Sequence, residues 1–250
     1  MGVQERGMTS AVERAMRVDL AAAFRLAVRL DLHEGVCNHF SVMLPDGKRF
    51  LLNRYGLHWS EVTASNLLAL DGEGTVLDGE GEFEKTAFYI HSRIHLANPR
   101  ATCVLHTHMP YATSLTLLEG GRLEMVEQNA LRFHDDIAYD DVYNGLVVDN
   151  AEGDRLARVL GHKRVMFLAN HGVIVVGPSV AEAFDALYYL ERACRLQVLA
   201  RSMGGRFRPV RAEVVRETYR LILADTPKYS GAHFEALKRI LDREEPAYSR

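Results

Sequence analysis

The sequence predicts a single globular domain of α/β or α+β layers, and three observations carry that prediction. The chain has 250 residues, 48% of them hydrophobic and 25% charged, which suits one domain with a sizeable core. Strand-length apolar runs cluster in the middle, with segments of helical periodicity between and after them. No repeat or low-complexity linker divides the chain, so residues 10–245 are expected to form one domain after a short tail at residues 1–9.

Residues 10–30 read as an amphipathic helix. Ser10 and Glu13 match a capping box, and Met16, Leu20, Phe24, Ala27 and Val28 mark one face. Residues 40–44 and 49–53 read as strands joined at Pro45-Asp46-Gly47. A further strand pair is expected at 67–71 and 74–77, around Asp71-Gly72. Residues 83–98 form a second helix, with Ala87, Ile90, His91 and Ile94 on one stripe and Pro99 past its end. A strand at 102–108, a polar helical stretch at 110–118 and a strand at 145–149 follow. Residues 152–160 read as a helix ending at Gly161. The run 165–176 is the strongest strand signal, broken by Asn170-His171-Gly172 as a hairpin would be. Ser179 and Glu182 form another capping box, opening a long helix to about Met203 that stops at Gly204-Gly205. After a basic segment at 206–211, two more helical stretches reach Asp242.

A net charge of −3 gives no electrostatic case for nucleic acid or an anionic membrane as partner. The longest apolar runs fall well short of the roughly 20 residues a membrane helix needs, and residues 1–10 carry no apolar signal core. Cys37, Cys103 and Cys194 are odd in number and scattered, as reduced cytosolic thiols are. The expected location is the cytoplasm.

The run Thr102-Cys103-Val104-Leu105-His106-Thr107-His108 ends in two histidines one residue apart. Side chains at i and i+2 share a strand face, about 6.5 Å apart. Metal–nitrogen bonds of about 2.1 Å plus the ring lengths close that gap. A lone histidine at a strand end is ordinarily a surface or hydrogen-bonded core residue; a His-x-His pair shifts the balance toward a cation. The second run, Val165-Met166-Phe167-Leu168-Ala169, leads to His171. It supplies a third imidazole only if its strand lies beside the first.

Further segments match one family in order and spacing. Cys37-Asn38-His39-Phe40-Ser41 looks like a Gly-Asn-x-x-Ser loop, and residues 56–65, Gly-Leu-His-Trp-Ser-Glu-Val-Thr-Ala-Ser, resemble a second motif. His91 stands in the helix before His106-Thr107-His108, and Asn170-His171-Gly172 precedes the helical stretch from Ser179 to Gln197. Over roughly residues 19–205 the chain resembles the class II aldolase/adducin superfamily, and within it the adducin-like bacterial branch.

The resemblance implies αβα layers around a mainly antiparallel sheet, assembled as a homotetramer with sites between subunits. It implies a divalent metal, zinc first with manganese or iron as alternatives, held by His106, His108 and His171. In the family's sugar-phosphate aldolases the metal binds substrate oxygens and stabilises an enediolate as the carbon–carbon bond breaks. Asn38, Ser41 and Gly56 are candidate substrate contacts there, and His39 and His58 stand in loops expected to face the pocket.

The chain also departs from the family pattern. The aldolases carry a catalytic glutamate four residues before the helix histidine, where this chain has Ala87, and two serines before it, where it has Lys85 and Thr86. Glu84 is the nearest carboxylate, a candidate acid/base if the helix start bends inward and otherwise a solvated first-turn residue. The resemblance also makes Tyr139 a candidate proton donor to a neighbouring subunit's site, as a tyrosine of this region is in the aldolases, a role that suits a phenol with pKa near 10; otherwise it is an interface or surface residue. The expected function is a metal-dependent carbon–carbon lyase, aldolase or decarboxylase, taking a small, non-phosphorylated keto or hydroxy acid or a sugar-like substrate. A non-catalytic adducin-like binding module with a structural metal and an Fe(II) oxygenase are the alternatives.

Overall fold

The computed structural model describes residues 2–250, with side-chain surroundings from Ala11 onward. Helix α1 (Gly2–Arg29) comes first. Four strands follow: β1 (His39–Met43), β2 (Phe50–Leu52), β3 (Leu68–Leu70) and β4 (Val76–Asp78). Helix α2 (Lys85–Ala97) leads into β5 (Cys103–Thr107), and α3 (Pro110–Thr116) leaves it. Then come β6 (Ile137–Asp140), α4 (Asn150–Leu160), β7 (Val165–Leu168), β8 (Gly172–Gly177), α5 (Val180–Ser202) and α6 (Ala212–Glu244).

The strands form one sheet in the order β4-β3-β2-β1-β5-β8-β7-β6. All neighbours are antiparallel except β6 and β7, which run parallel. The expected mainly antiparallel sheet is therefore present. Because side chains alternate along a strand, the two faces build separate cores. On one, Phe40, Leu105, Val173 and Val175 pack with Leu20 and Phe24 of α1 and Phe184 and Leu187 of α5. On the other, Val104, Met166, Ile174 and Val176 meet Ile90 and Ile94 of α2 and Leu156 and Leu160 of α4. Helices thus cover both faces, giving αβα layers. The rings of Phe24, Phe40 and Trp59 lie 4.6–4.9 Å apart in the first core. Truncating any of these buried rings to alanine would cost about 3–5 kcal/mol.

The helix ends follow local chemistry. Ser179 Oγ accepts from the Glu182 N–H at 3.2 Å, and Asp149 accepts from the Glu152 N–H at 2.9 Å, each satisfying a donor the helix leaves free. Gly161 closes α4 with φ +55, a conformation that favours glycine. Ser10 lies within α1, and its side chain is outside the described residues.

Residues 145–149, expected as a strand, form an irregular loop. Leu146 and Val148 face solvent at 73% and 65% exposure, and the adjoining Val147 is buried. The sheet edge is β6 instead, paired with β7. Its buried Asp140 is held by the Arg155 guanidinium at 2.6 and 2.8 Å. The two helical stretches expected after residue 211 are one helix, α6, which runs through Pro227. Proline forfeits one backbone bond; beside it the Thr226 and Ser230 hydroxyls donate to the Ile222 and Thr226 carbonyls at 2.9 and 2.7 Å.

Candidate metal centre

Strand β5 carries His106 on the α2 face of the sheet, directly across from His39 of β1. The strand ends at Thr107, so His108 stands in the loop beyond it and not on the strand itself. Asn38, in left-handed backbone at φ +71, accepts from the His108 N–H through Oδ1 at 3.2 Å. That bond fixes the loop across the mouth of β1. His171 comes from the tight β7–β8 turn, where Asn170 adopts φ +57, and β8 lies beside β5. The two apolar runs are therefore neighbours, the condition for a third imidazole.

Ring nitrogens of His106, His108 and His171 all lie within 4.8 Å of one another, and the Nε2 atoms of His106 and His108 are 3.2 Å apart. Tetrahedral coordination with bonds of about 2.0–2.1 Å separates ligand nitrogens by about 3.4 Å. The triad fits a divalent cation. Two of the remaining nitrogens are already engaged: His106 Nδ1–H donates to the Val173 carbonyl at 3.0 Å, and His108 Nδ1–H donates to the Glu34 carboxylate. Such partners orient the rings and leave each Nε2 to the cation. Burial, then the neighbouring His39, holds His106 well below the usual imidazole range. Burial, then His108, pushes His171 down to about 4. Neutral imidazoles are the metal-binding form.

A cavity of about 330 Å³ opens over the triad, at the small end of ligand pockets of roughly 300–1,000 Å³. Its wall includes Asn38, His39, Asn53, Tyr55, Glu84 and Tyr143, and none of the described residues lining it is lysine or arginine. Asn38 Nδ2 and Asn53 Oδ1 are buried without hydrogen-bond partners among the described residues. They offer a donor and an acceptor to an oxygenated ligand.

The Class II Aldolase and Adducin N-terminal domain matches residues 18–198 of the chain. The protein belongs to this family. An aldolase II superfamily protein from Pseudomonas syringae has 35% sequence identity and a TM-score of 0.88, over 96% of each chain. L-fuculose 1-phosphate aldolase from Glaciozyma antarctica PI12 has 25% identity and a TM-score of 0.84, over 97% of this chain and 94% of its own. An adducin-related protein of Schizosaccharomyces pombe is 31% identical over 252 residues, 94% of this chain and 76% of that protein.

At the position of the family's glutamate, Ala87 is fully buried in a core with Phe50, Leu52 and Phe88 and takes no part in the cavity wall. Glu84 is placed differently. It caps α2, its carboxylate accepting from the Thr86 and Ala87 N–H groups at 3.1 and 3.0 Å. The start of α2 thereby carries the carboxylate into the cavity, with Oε2 3.7 Å from His39 Nε2.

Asn38, His39, Glu84 and the three triad histidines share this cavity; Ser41, Gly56, His58 and Tyr139 do not line it. Ser41 is fully buried, its hydroxyl between His91 and His95. Gly56 stands in open space at φ +81. His58 caps the short 3-10 turn Trp59–Glu61 and meets His33, Nε2 to Nε2, at 3.2 Å. Tyr139 lies on the opposite face of the sheet, its ring stacked on Phe167 and its hydroxyl accepting from the Leu123 N–H at 3.1 Å. Tyr143, from the same segment, lines the cavity with its ring 6.2 Å from that of His171.

Sequence reasoning misses Glu34 and His95. A signal for His95 exists: it stands four residues after His91, on the same side of α2. Glu34 sits in a loop with no periodicity to mark it.

Proposed function

We propose that this protein is a metal-dependent carbon–carbon lyase of aldolase or decarboxylase type, acting on a small non-phosphorylated keto or hydroxy acid or a sugar-like substrate. The observation that carries the reading is the imidazole triad at a cavity whose lining among the described residues includes polar groups but no lysine or arginine. A divalent ion held by His106, His108 and His171, zinc before manganese or iron, would supply Lewis acidity toward substrate oxygens. Asn38 Nδ2 donates to a substrate oxygen and Asn53 Oδ1 accepts from a hydroxyl. Glu84, tied to the start of α2, moves the proton that the family moves from the position of Ala87. Tyr143 is a candidate phenol for this chain's own cavity, whose wall it lines, while Tyr139 stays the candidate donor to a neighbouring subunit's site. A phosphate dianion here would meet the Glu84 carboxylate and lack the cationic partners it ordinarily requires.

A homotetrameric assembly is part of the same proposal, supported by the exposed Tyr143, Leu146 and Val148 beside the cavity, apolar surface of the kind a second copy covers. Cytoplasmic location is supported by the unpaired Cys37, Cys103 and Cys194. Among the described residues no helix is long and apolar enough to cross a membrane. A second reading, an adducin-like binding module, is favoured by Ala87 in place of a carboxylate.

The test is a screen of metal-loaded protein against small keto and hydroxy acids and their phosphorylated counterparts, with and without oxygen. Metal-dependent bond cleavage of non-phosphorylated acids in both atmospheres is expected. Turnover only with oxygen would favour the Fe(II) oxygenase, and a fully metallated but inactive protein the binding module.

A further inference from the structure

Behind the cavity wall a row of buried polar side chains joins β1 to α2: His39, His91, Ser41 and His95, between 0% and 6% exposed. Their donor and acceptor roles follow from the far end. His95 Nδ1 lies 2.6 Å from the Ala101 carbonyl; a carbonyl only accepts, so Nδ1 carries the proton. The Nε2 of a neutral ring must then accept, and its partner at 2.7 Å is Ser41 Oγ. Ser41 spends its single proton on that bond. Its oxygen therefore accepts from His91 Nδ1–H, 2.5 Å away. His91 Nε2 is consequently bare and accepts from His39 Nδ1–H at 2.7 Å. Burial keeps the two histidines of α2 neutral, pushing His95 down to about 4 and His91 well below the usual imidazole range.

We infer that this row locks His39 as the Nδ1–H tautomer, so that its bare Nε2 is a specificity-determining acceptor for a substrate hydroxyl. The inference rests on the cavity being the substrate site, as proposed above. Nε2 faces that cavity with the Glu84 carboxylate 3.7 Å away. Two acceptors so placed favour a ligand that donates, and they repel an ether or an ester at the same position. The substrate class narrows to hydroxy acids, polyols or hydrated carbonyls. Ser41, His91 and His95 act only through His39 and are positioning residues.

Neutron diffraction from deuterated crystals of the wild-type protein reads the row directly. Deuterons are expected on His39 Nδ1, His91 Nδ1, His95 Nδ1 and Ser41 Oγ, with none on His39 Nε2; a deuteron on His39 Nε2 overturns the assignment. A second measurement compares glycolate with methoxyacetate, which lacks the donor, binding to the zinc-loaded protein and to a His39→Leu variant. The wild-type preference for glycolate is expected to fall about tenfold or more in the variant. An unchanged preference overturns the inference. Zinc content of the same samples is read separately, so a failure to hold metal counts against the proposed function while the neutron result still decides the tautomer.

Discussion

Two buried serines near the cavity should respond in opposite ways to the same substitution. Ser41 Oγ accepts from His91 and donates to His95 at 2.5 and 2.7 Å. Ser41→Ala strands one donor and one acceptor on imidazoles that are 0% and 6% exposed. Each stranded buried group costs about 1–3 kcal/mol, so the pair should cost about 2–6 kcal/mol. Ser92, next to His91 on α2, is 1% exposed, and its hydroxyl has no hydrogen-bond partner among the described residues. Ser92→Ala removes a buried polar group that gains nothing in return, so stability should change by less than about 1 kcal/mol or rise. Urea unfolding of the metal-free proteins at pH 7, with equal denaturant slopes, compares the two directly. A small and equal effect at both sites would refute the hydrogen-bonded row.

Other expectations follow from the same geometry. His95 is pushed down to about 4 by burial, whereas in the unfolded chain it titrates near 6.5. The unfolded state therefore binds a proton that the folded state refuses. Its contribution is fully present above pH 6.5 and is lost as pH falls toward 4, about 3 kcal/mol from this residue alone; a flat acid-unfolding profile of the metal-free protein would contradict it. At Gly172 an added Cβ would lie 2.5 Å from the Thr107 carbonyl oxygen and 2.7 Å from His108 Cδ2. Gly172→Ala should cost about 1–3 kcal/mol and, by displacing His108, weaken metal binding in chelator competition; wild-type affinity would count against the site geometry. Glu34→Ala removes the partner of His108 Nδ1 and should lower metal affinity about 10–100-fold, measured the same way.

The parts of the fold that announce themselves in the sequence are those where local chemistry and tertiary need agree. Asn170-His171-Gly172 interrupts an apolar run with turn residues, and β7 and β8 form that hairpin. Ser179 and Glu182 open α5 where the capping pattern expects. The triad is legible because its histidines lie in or just beyond the buried strands β5 and β7, although Asn38 and Glu34, distant in sequence, complete the placing of His108.

Other features depend on partners far along the chain. Strand β6 reads as polar because Asp140 is neutralised by Arg155. Residues 145–149 hold the short apolar run Leu146-Val147-Val148 that a strand could use, yet they join no strand pair among the described residues. Ser41 shares a strand face with His39, as the period of two requires, but lies beneath it against α2. His58 is turned aside because the 3-10 turn following it buries Trp59 completely. Glu84 reaches the cavity through a helix cap, which the sequence suggests only as one of two outcomes.

His106, His108 and His171 are expected to hold a catalytic divalent ion. Elemental analysis of the purified protein, beside a His106→Ala/His108→Ala variant, tests it most directly. One zinc, manganese or iron per chain, absent from the variant, is the expected result. A wild-type protein that carries no metal and takes none up on reconstitution would contradict the claim.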